Sequence, residues 1–119
     1  MIRITTPGRY NMKVYQGATF NLTPRWKIDG SYVNVTGYSA VLTVKNSATS
    51  VSSIIVLSSD NGRITVGTTN GQFTLALTAA ETAALTAGNY VYDMEVTAPD
   101  TTVTRLLEGG FTVYEGVTS

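Results

Sequence analysis

The sequence predicts an all-β, immunoglobulin-like antiparallel β-sandwich with one short helix, and three observations predict it. Threonine is very abundant, and Val, Ile and Tyr are common, a composition that suits strands. Turn signals recur at the spacing of a sandwich: Asp29-Gly30, Thr36-Gly37, Asp60-Asn61-Gly62, Asn70-Gly71, Gly88-Asn89, Pro99-Asp100 and Gly109-Gly110. Between them, apolar and polar residues alternate at the two-residue period of a strand with one buried face.

Taken in order, residues 1–9 form an N-terminal arm, residues 10–115 the sandwich domain and residues 116–119 a tail. The arm has Thr5-Thr6-Pro7-Gly8 but no core periodicity. It is either a frayed end or a segment that docks on a neighbour, with Ile2, Arg3 and Ile4 as its contacts. Ala18 to Ile28 reads as a long strand anchored by Phe20, Leu22 and Trp26, and Pro24 places an edge or a bulge within it. Tyr38 to Lys45 alternates Ala40, Leu42 and Val44 against Ser39, Val41 and Thr43. Ser53 to Ser58 and Arg63 to Val66 are shorter strands, and Phe73, Leu75 and Leu77 mark one face of the next.

Thr78-Ala-Ala-Glu81 has the spacing of a capping box, so the alanine-rich run Ala79 to Ala87 forms a helix of one to two turns ending at Gly88. Tyr90, Tyr92, Met94 and Val96 then share one strand face, with Asp93, Glu95 and Thr97 on the other. Tyr90, following Gly88, is either a tyrosine corner bonding back to the loop or simply a core aromatic. Val103 to Val113 closes the domain, with a break at Gly109-Gly110.

The chemistry available to this chain is narrow. Its 119 residues contain neither Cys nor His. Disulfides, thiolate metal sites and a Cys nucleophile are excluded, and the commonest general acid–base group is missing. A chain of this length buries roughly two thirds of its unfolded surface and needs no staple. Eight basic residues balance eight acidic ones and only 13% of the chain is charged. That opposes a nucleic-acid partner and favours association. The N-terminus lacks the apolar core of a signal peptide, and the longest aliphatic run, Ile54 to Leu57, is far too short to span a membrane.

No site for turnover or a metal stands out. Asp93 and Glu95 share a strand face, but Arg105 on the adjacent strand makes a cross-strand ion pair the simpler reading. Asp29, Asp60 and Asp100 each sit in turns and form no calcium-loop cluster. Asn61-Gly62 and Asn70-Gly71 read as hairpin turns. Trp26 reads as core, whereas Tyr10, Tyr15 and Tyr32 are surface candidates for an interface or for sugar binding. Ser53 to Ser58 is uncharged, β-branched and free of Pro, so Ile54, Ile55 and Val56 are candidate assembly contacts if that strand lies at an edge.

Several segments also resemble a known family. They are Gln16 to Phe20, Trp26 to Gly30, Val35 to Tyr38, Asn61 to Thr65, Leu77 to Leu85, Gly88 to Val96 and Val103 to Gly109. They are similar to the small immunoglobulin-like proteins of tailed-phage structural modules, and to the N-terminal domain of phage baseplate upper proteins. The resemblance spans approximately residues 12–114 and implies no catalytic residue and no cofactor. It implies a non-enzymatic virion component, assembled in the host cytoplasm as an oligomer with other phage structural proteins. The expected role is an adaptor at the tail tip, baseplate or fibre base. A capsid decoration protein and a glycan-binding module are the rival expectations.

Overall fold

The computed structural model describes residues 3–4 and 8–116. Its elements in chain order begin with β1 (Arg3–Ile4), β2 (Gly8–Arg9), β3 (Met12–Tyr15), β4 (Phe20–Leu22), β5 (Arg25–Ile28) and β6 (Ser31–Tyr32). They continue with β7 (Ser39–Lys45), β8 (Ser53–Ser58), β9 (Ile64–Val66), β10 (Phe73–Leu77), α1 (Ala79–Ala83), β11 (Gly88–Thr97) and β12 (Val103–Tyr114). The fold is an all-β, immunoglobulin-like sandwich with one short helix.

One layer is a six-stranded sheet in the order β2-β12-β11-β7-β8, with β3 also pairing β12. The other layer comprises the sheet β4-β10-β9 and the small sheet β1-β5-β6. These two run into each other at Pro24. Phe73 N–H donates to Pro24 O at 3.0 Å, Arg25 bridges Gln72, and Trp26 N–H donates to Gly71 O at 2.9 Å. The single strand expected over Ala18 to Ile28 is thus two strands on one line. Pro24 has no N–H for a ladder and separates them. Beyond it, Asp29 (φ 50°) and Gly30 (φ 81°) turn the chain into β6 with the paired left-handed residues of a two-residue hairpin.

The alternation read from the sequence matches the burial. Ala40, Leu42 and Val44 face inward from β7, as do Phe73, Leu75 and Leu77 from β10 and Tyr90, Tyr92, Met94 and Val96 from β11. Met12, Val14, Leu106, Leu107, Phe111 and Val113 complete the core from β3 and β12. Phe20 meets Phe111 edge-on across the layers, with ring centroids 6.5 Å apart. Trp26 is core, as expected, and lies edge-on to Tyr38 at 6.2 Å. Each large side chain buried this way contributes about 1.5–3 kcal/mol.

The helix forms where the capping box puts it but ends sooner. Glu81 N–H donates to Thr78 Oγ1 at 3.1 Å, and Thr78 N–H donates to Glu81 Oε1 at 2.8 Å. The helix stops at Ala83, where the last turn tightens and the carbonyls that follow find partners outside it. Leu85 N–H turns to Thr82 O, Leu85 O accepts from Gln16, and Thr86 O accepts the Tyr90 hydroxyl at 2.7 Å. Tyr90 is therefore both a tyrosine corner and a core aromatic. Gly88, expected as the helix terminator, is the first residue of β11.

Two turn expectations change. Asn70-Gly71 does join the antiparallel pair β9 and β10, but Asn61-Gly62 links β8 in one layer to β9 in the other. Gly109-Gly110 does not break β12, which runs through both residues. The glycines instead let the N-terminal chain pass close by as it changes from β2 to β3. A Cβ on Gly109 would lie 2.4 Å from Tyr10 O.

The described part of the N-terminal arm is built into the sandwich. β1 pairs parallel with β5, Arg3 opposite Arg25 and Ile4 opposite Trp26. β2 pairs parallel with β12, Gly8 opposite Leu107 and Arg9 opposite Glu108. Ile2 and residues 117–119 lie outside the described residues.

Candidate interaction surface

The six-stranded sheet buries one face and presents the other, and strand register decides which side chains share the outer face. On β11 they are Asn89, Val91, Asp93, Glu95 and Thr97. Asp93 lies opposite Glu108 of β12 and Thr43 of β7, and Glu95 opposite Arg105 and Val41. Thr43 in turn lies opposite Val56 of β8. This surface divides into a charged half over β2, β12 and β11 and a more apolar half over β7 and β8.

Arg105 organises the charged half. Its guanidinium lies 3.8 Å from Asp93, 4.0 Å from Glu95 and 3.8 Å from Glu108, while Arg9 donates to Glu108 at 3.1 Å. The cross-strand pairing of Arg105 with Glu95 expected from the sequence is present. All these groups are substantially exposed, so each pair contributes ~0–1 kcal/mol. The shallow groove above them, lined by Arg9, Lys45, Asp93, Arg105, Glu108 and Gly109, opens to solvent. Each carboxylate in it already has a guanidinium partner. Among the described residues no group of three or more His, Cys, Asp or Glu gathers as a metal site, and no helix is long and apolar enough to cross a membrane.

On the other half, Val41 and Ile54 are exposed and Val56 is half-buried beside Thr43, while exposed Val91, opposite Lys45, lines the charged groove. β8 is the terminal strand of the sheet, as the assembly reading requires. Its three candidate contacts separate by face. Val56 lies on the outer face, whereas Ile55, opposite Val44, packs against the core. Ile54 sits at a register shift, where an extra residue bulges the strand.

The edge of β8 is not bare, which the sequence did not signal. Ser59 N–H donates to Ala40 O, continuing the ladder to β7 through residues 55, 57 and 59. The backbone groups of Val56 and Ser58 therefore point away from β7. Val56 O accepts from Asn61 Nδ2 and from Arg63 NH1, both at 2.9 Å, and Ser58 N–H donates to Asn61 Oδ1 at 3.0 Å. Arg63 is gripped from behind by Glu81 through a 2.6 Å Nε–Oε2 contact. The Thr78 backbone N–H first, and then Arg63, hold the Glu81 carboxyl below its ordinary range. Asn61, Arg63 and Glu81 form a clasp that runs from the helix N-terminus to the edge of the opposite sheet.

The candidate tyrosines occupy separate elements. Tyr10 is exposed at the β2–β3 crossover, where its backbone carbonyl accepts the Tyr92 hydroxyl at 2.7 Å. Tyr15 stacks on Tyr114, with centroids 5.1 Å apart, because parallel β3 and β12 bring the two side by side. Tyr114 escaped the sequence reading, since only that long-range register reveals it. Tyr32 lies on β6 between Arg25 and Lys27, whose charged groups sit 5.5 and 4.6 Å from its ring centroid.

No family model matches the chain, and no curated protein matches it. Among solved structures, CopC from Methylosinus trichosporium OB3b is similar, with a TM-score of 0.49 and 17% identity over 92% of this chain and 90% of that one. Likeness at this level brings no ligand or activity of CopC to this chain. No family match stands behind the tailed-phage resemblance and CopC is among the chain's structural neighbours, so the function drawn from that resemblance is corrected. The virion adaptor reading is withdrawn, together with the capsid-decoration and glycan-binding rivals.

Proposed function

We propose that the chain is a non-catalytic interaction module whose contact surface is the outer face of its six-stranded sheet. The observation that carries this reading is that exposed valines, Val41 opposite Glu95 and Val91 opposite Lys45, stand among a charged network whose members already pair with one another. Apolar side chains interleaved with mutually satisfied charges suit a protein surface. Four cations (Arg9, Lys13, Lys45, Arg105) against three anions (Asp93, Glu95, Glu108) leave this face nearly balanced in charge, which suits a protein better than a polyanion. The absence of His and Cys from the sequence supports a role without turnover.

The test uses two differently tagged copies of the chain in the cells that produce it, one set wild-type and one carrying Val41→Glu with Val91→Glu. Both side chains face solvent, so the double variant keeps its fold, checked by the near-UV signal of Trp26. Proteins recovered with the wild type should be lost from the variant. Unchanged recovery refutes this surface.

A further inference from the structure

We propose that the Asn61–Arg63–Glu81 clasp is a gate over the edge of β8, and that the strand it withholds is that of a second copy of this chain. The inference concerns the sheet edge and stands apart from the use of the outer face. A terminal strand with its backbone groups pointing outward is a template for further pairing, and natural edges are blunted by charges, bulges or covering segments. Here the blunting is divided. The bulge at Ile54 interrupts one end, while at the other end side chains occupy the backbone itself, Val56 O doubly and Ser58 N–H once.

The clasp is held from outside the sheet that it guards. Asn61 and Arg63 belong to the connection between layers, and Arg63 is oriented by Glu81 of α1, which also closes the capping box. An incoming strand needs the groups that Asn61 and Arg63 now fill, so strand addition and clasp closure are mutually exclusive.

Charge identifies the occupant. From Asn46 to Ser59 no residue is charged. Pairing two copies of this segment therefore opposes no like charges, the usual obstacle to a self-paired strand. The ends differ in sign, with Lys45 beside Ser53 and Asp60 following Ser59. Antiparallel pairing of two copies sets the Lys45 end of each against the Asp60 end of the other. Val51, 98% exposed just before β8, and exposed Ile54 then gain apolar cover from the partner.

The test is sedimentation across a concentration series. Wild-type chain should be monomeric, and Arg63→Ala should tighten self-association about tenfold or more, the scale expected when one competing hydrogen bond is removed. Asn61→Asp provides a gentler second variant. It keeps the acceptor for Ser58 N–H, removes the donor to Val56 O and leaves a carboxylate oxygen in its place. Adding Ile54→Lys to Arg63→Ala should restore the monomer. Because the chain has no cysteine, Val56→Cys, midway between the two ends and so opposite its own counterpart in an antiparallel pair, should form a disulfide dimer in the Arg63→Ala background on mild oxidation, faster than Val103→Cys at an exposed site on β12. The proposal is overturned if both clasp variants remain monomeric, if wild type associates as tightly as they do, or if Ile54→Lys leaves association intact. None of these results bears on Val41 and Val91, so the face reading is judged separately.

Discussion

Replacing Gly109 with Ala tests one of the two most crowded backbone approaches to a glycine, the other being Trp26 O against Gly71. The added Cβ would lie 2.4 Å from Tyr10 O, 3.0 Å from Tyr10 C and 3.2 Å from Asn11 Oδ1. The nearest atoms are backbone, so no side chain can swing aside. The Tyr10 peptide must retreat by about 1 Å to reach ordinary contact distance. Two bonds resist: Tyr10 N–H to Glu108 O at 3.1 Å, and the Tyr92 hydroxyl to Tyr10 O at 2.7 Å. Gly109 also sits at φ +155°, which L side chains rarely adopt.

Forcing a methyl into packed surroundings costs ~1–3 kcal/mol, and stretching the bond of the buried Tyr92 hydroxyl adds a further ~1 kcal/mol or more. We expect a loss of about 3 kcal/mol for Gly109→Ala. The neighbouring Gly110→Ala is the internal control. Its Cβ would meet the Asn11 side chain at 3.3 Å and Tyr90 O at an ordinary 3.9 Å, so its cost stays within about 1 kcal/mol. Urea unfolding followed by Trp26 fluorescence separates the two. With a slope of about 1.5 kcal/mol per molar, the Gly109→Ala midpoint should fall by about 2 M. Coincident midpoints for the two variants would refute the role assigned to this glycine pair.

Tyr90→Phe removes the 2.7 Å bond to Thr86 O and should lower stability by about 1 kcal/mol in the same assay; an unchanged midpoint would show that the tyrosine corner contributes nothing. Burial, aided by the nearby Tyr10, raises the Tyr92 phenol well above its ordinary range. The folded state then keeps a proton that the unfolded chain releases, so stability is full below about pH 10 and falls as pH rises beyond it. Tyr92→Phe should flatten that alkaline decline, and an identical slope counts against the assignment. Glu81 has the opposite sign. Its lowered pKa contributes stability above the ordinary carboxylate range that is lost as pH falls through and below it, so Glu81→Gln should flatten the acid limb of a stability–pH profile.

Which parts of this were legible in the sequence follows from the range of the interactions involved. Period-2 alternation over Tyr90 to Val96 and Phe73 to Leu77 depends only on which side of a strand faces water, and every buried position there was readable. The capping box at Thr78 and Glu81 is equally local. The helix end was not legible, because Gln16 and Tyr90 decide it by taking the carbonyls of Leu85 and Thr86. For the same reason Asn61-Gly62, a hairpin signal by its residues, became a crossover between layers.

The candidate surface divides along the same line. That Ser53 to Ser58 is uncharged and apolar is a property of the sequence, whereas the pairing of Arg105 with Glu95 is suggested there but waits on the length of the Pro99-Asp100 turn, which sets the register. That β8 is terminal, that Ile55 points inward while Val56 points outward, and that Arg63 covers Val56 O are not legible there. The sequence by itself determined an all-β sandwich without His or Cys, because strand periodicity, turn residues and side-chain inventory act over a few residues at a time. Only the tertiary structure decided which edge is exposed and what guards it, because those depend on side chains from two sheets and a helix meeting in space.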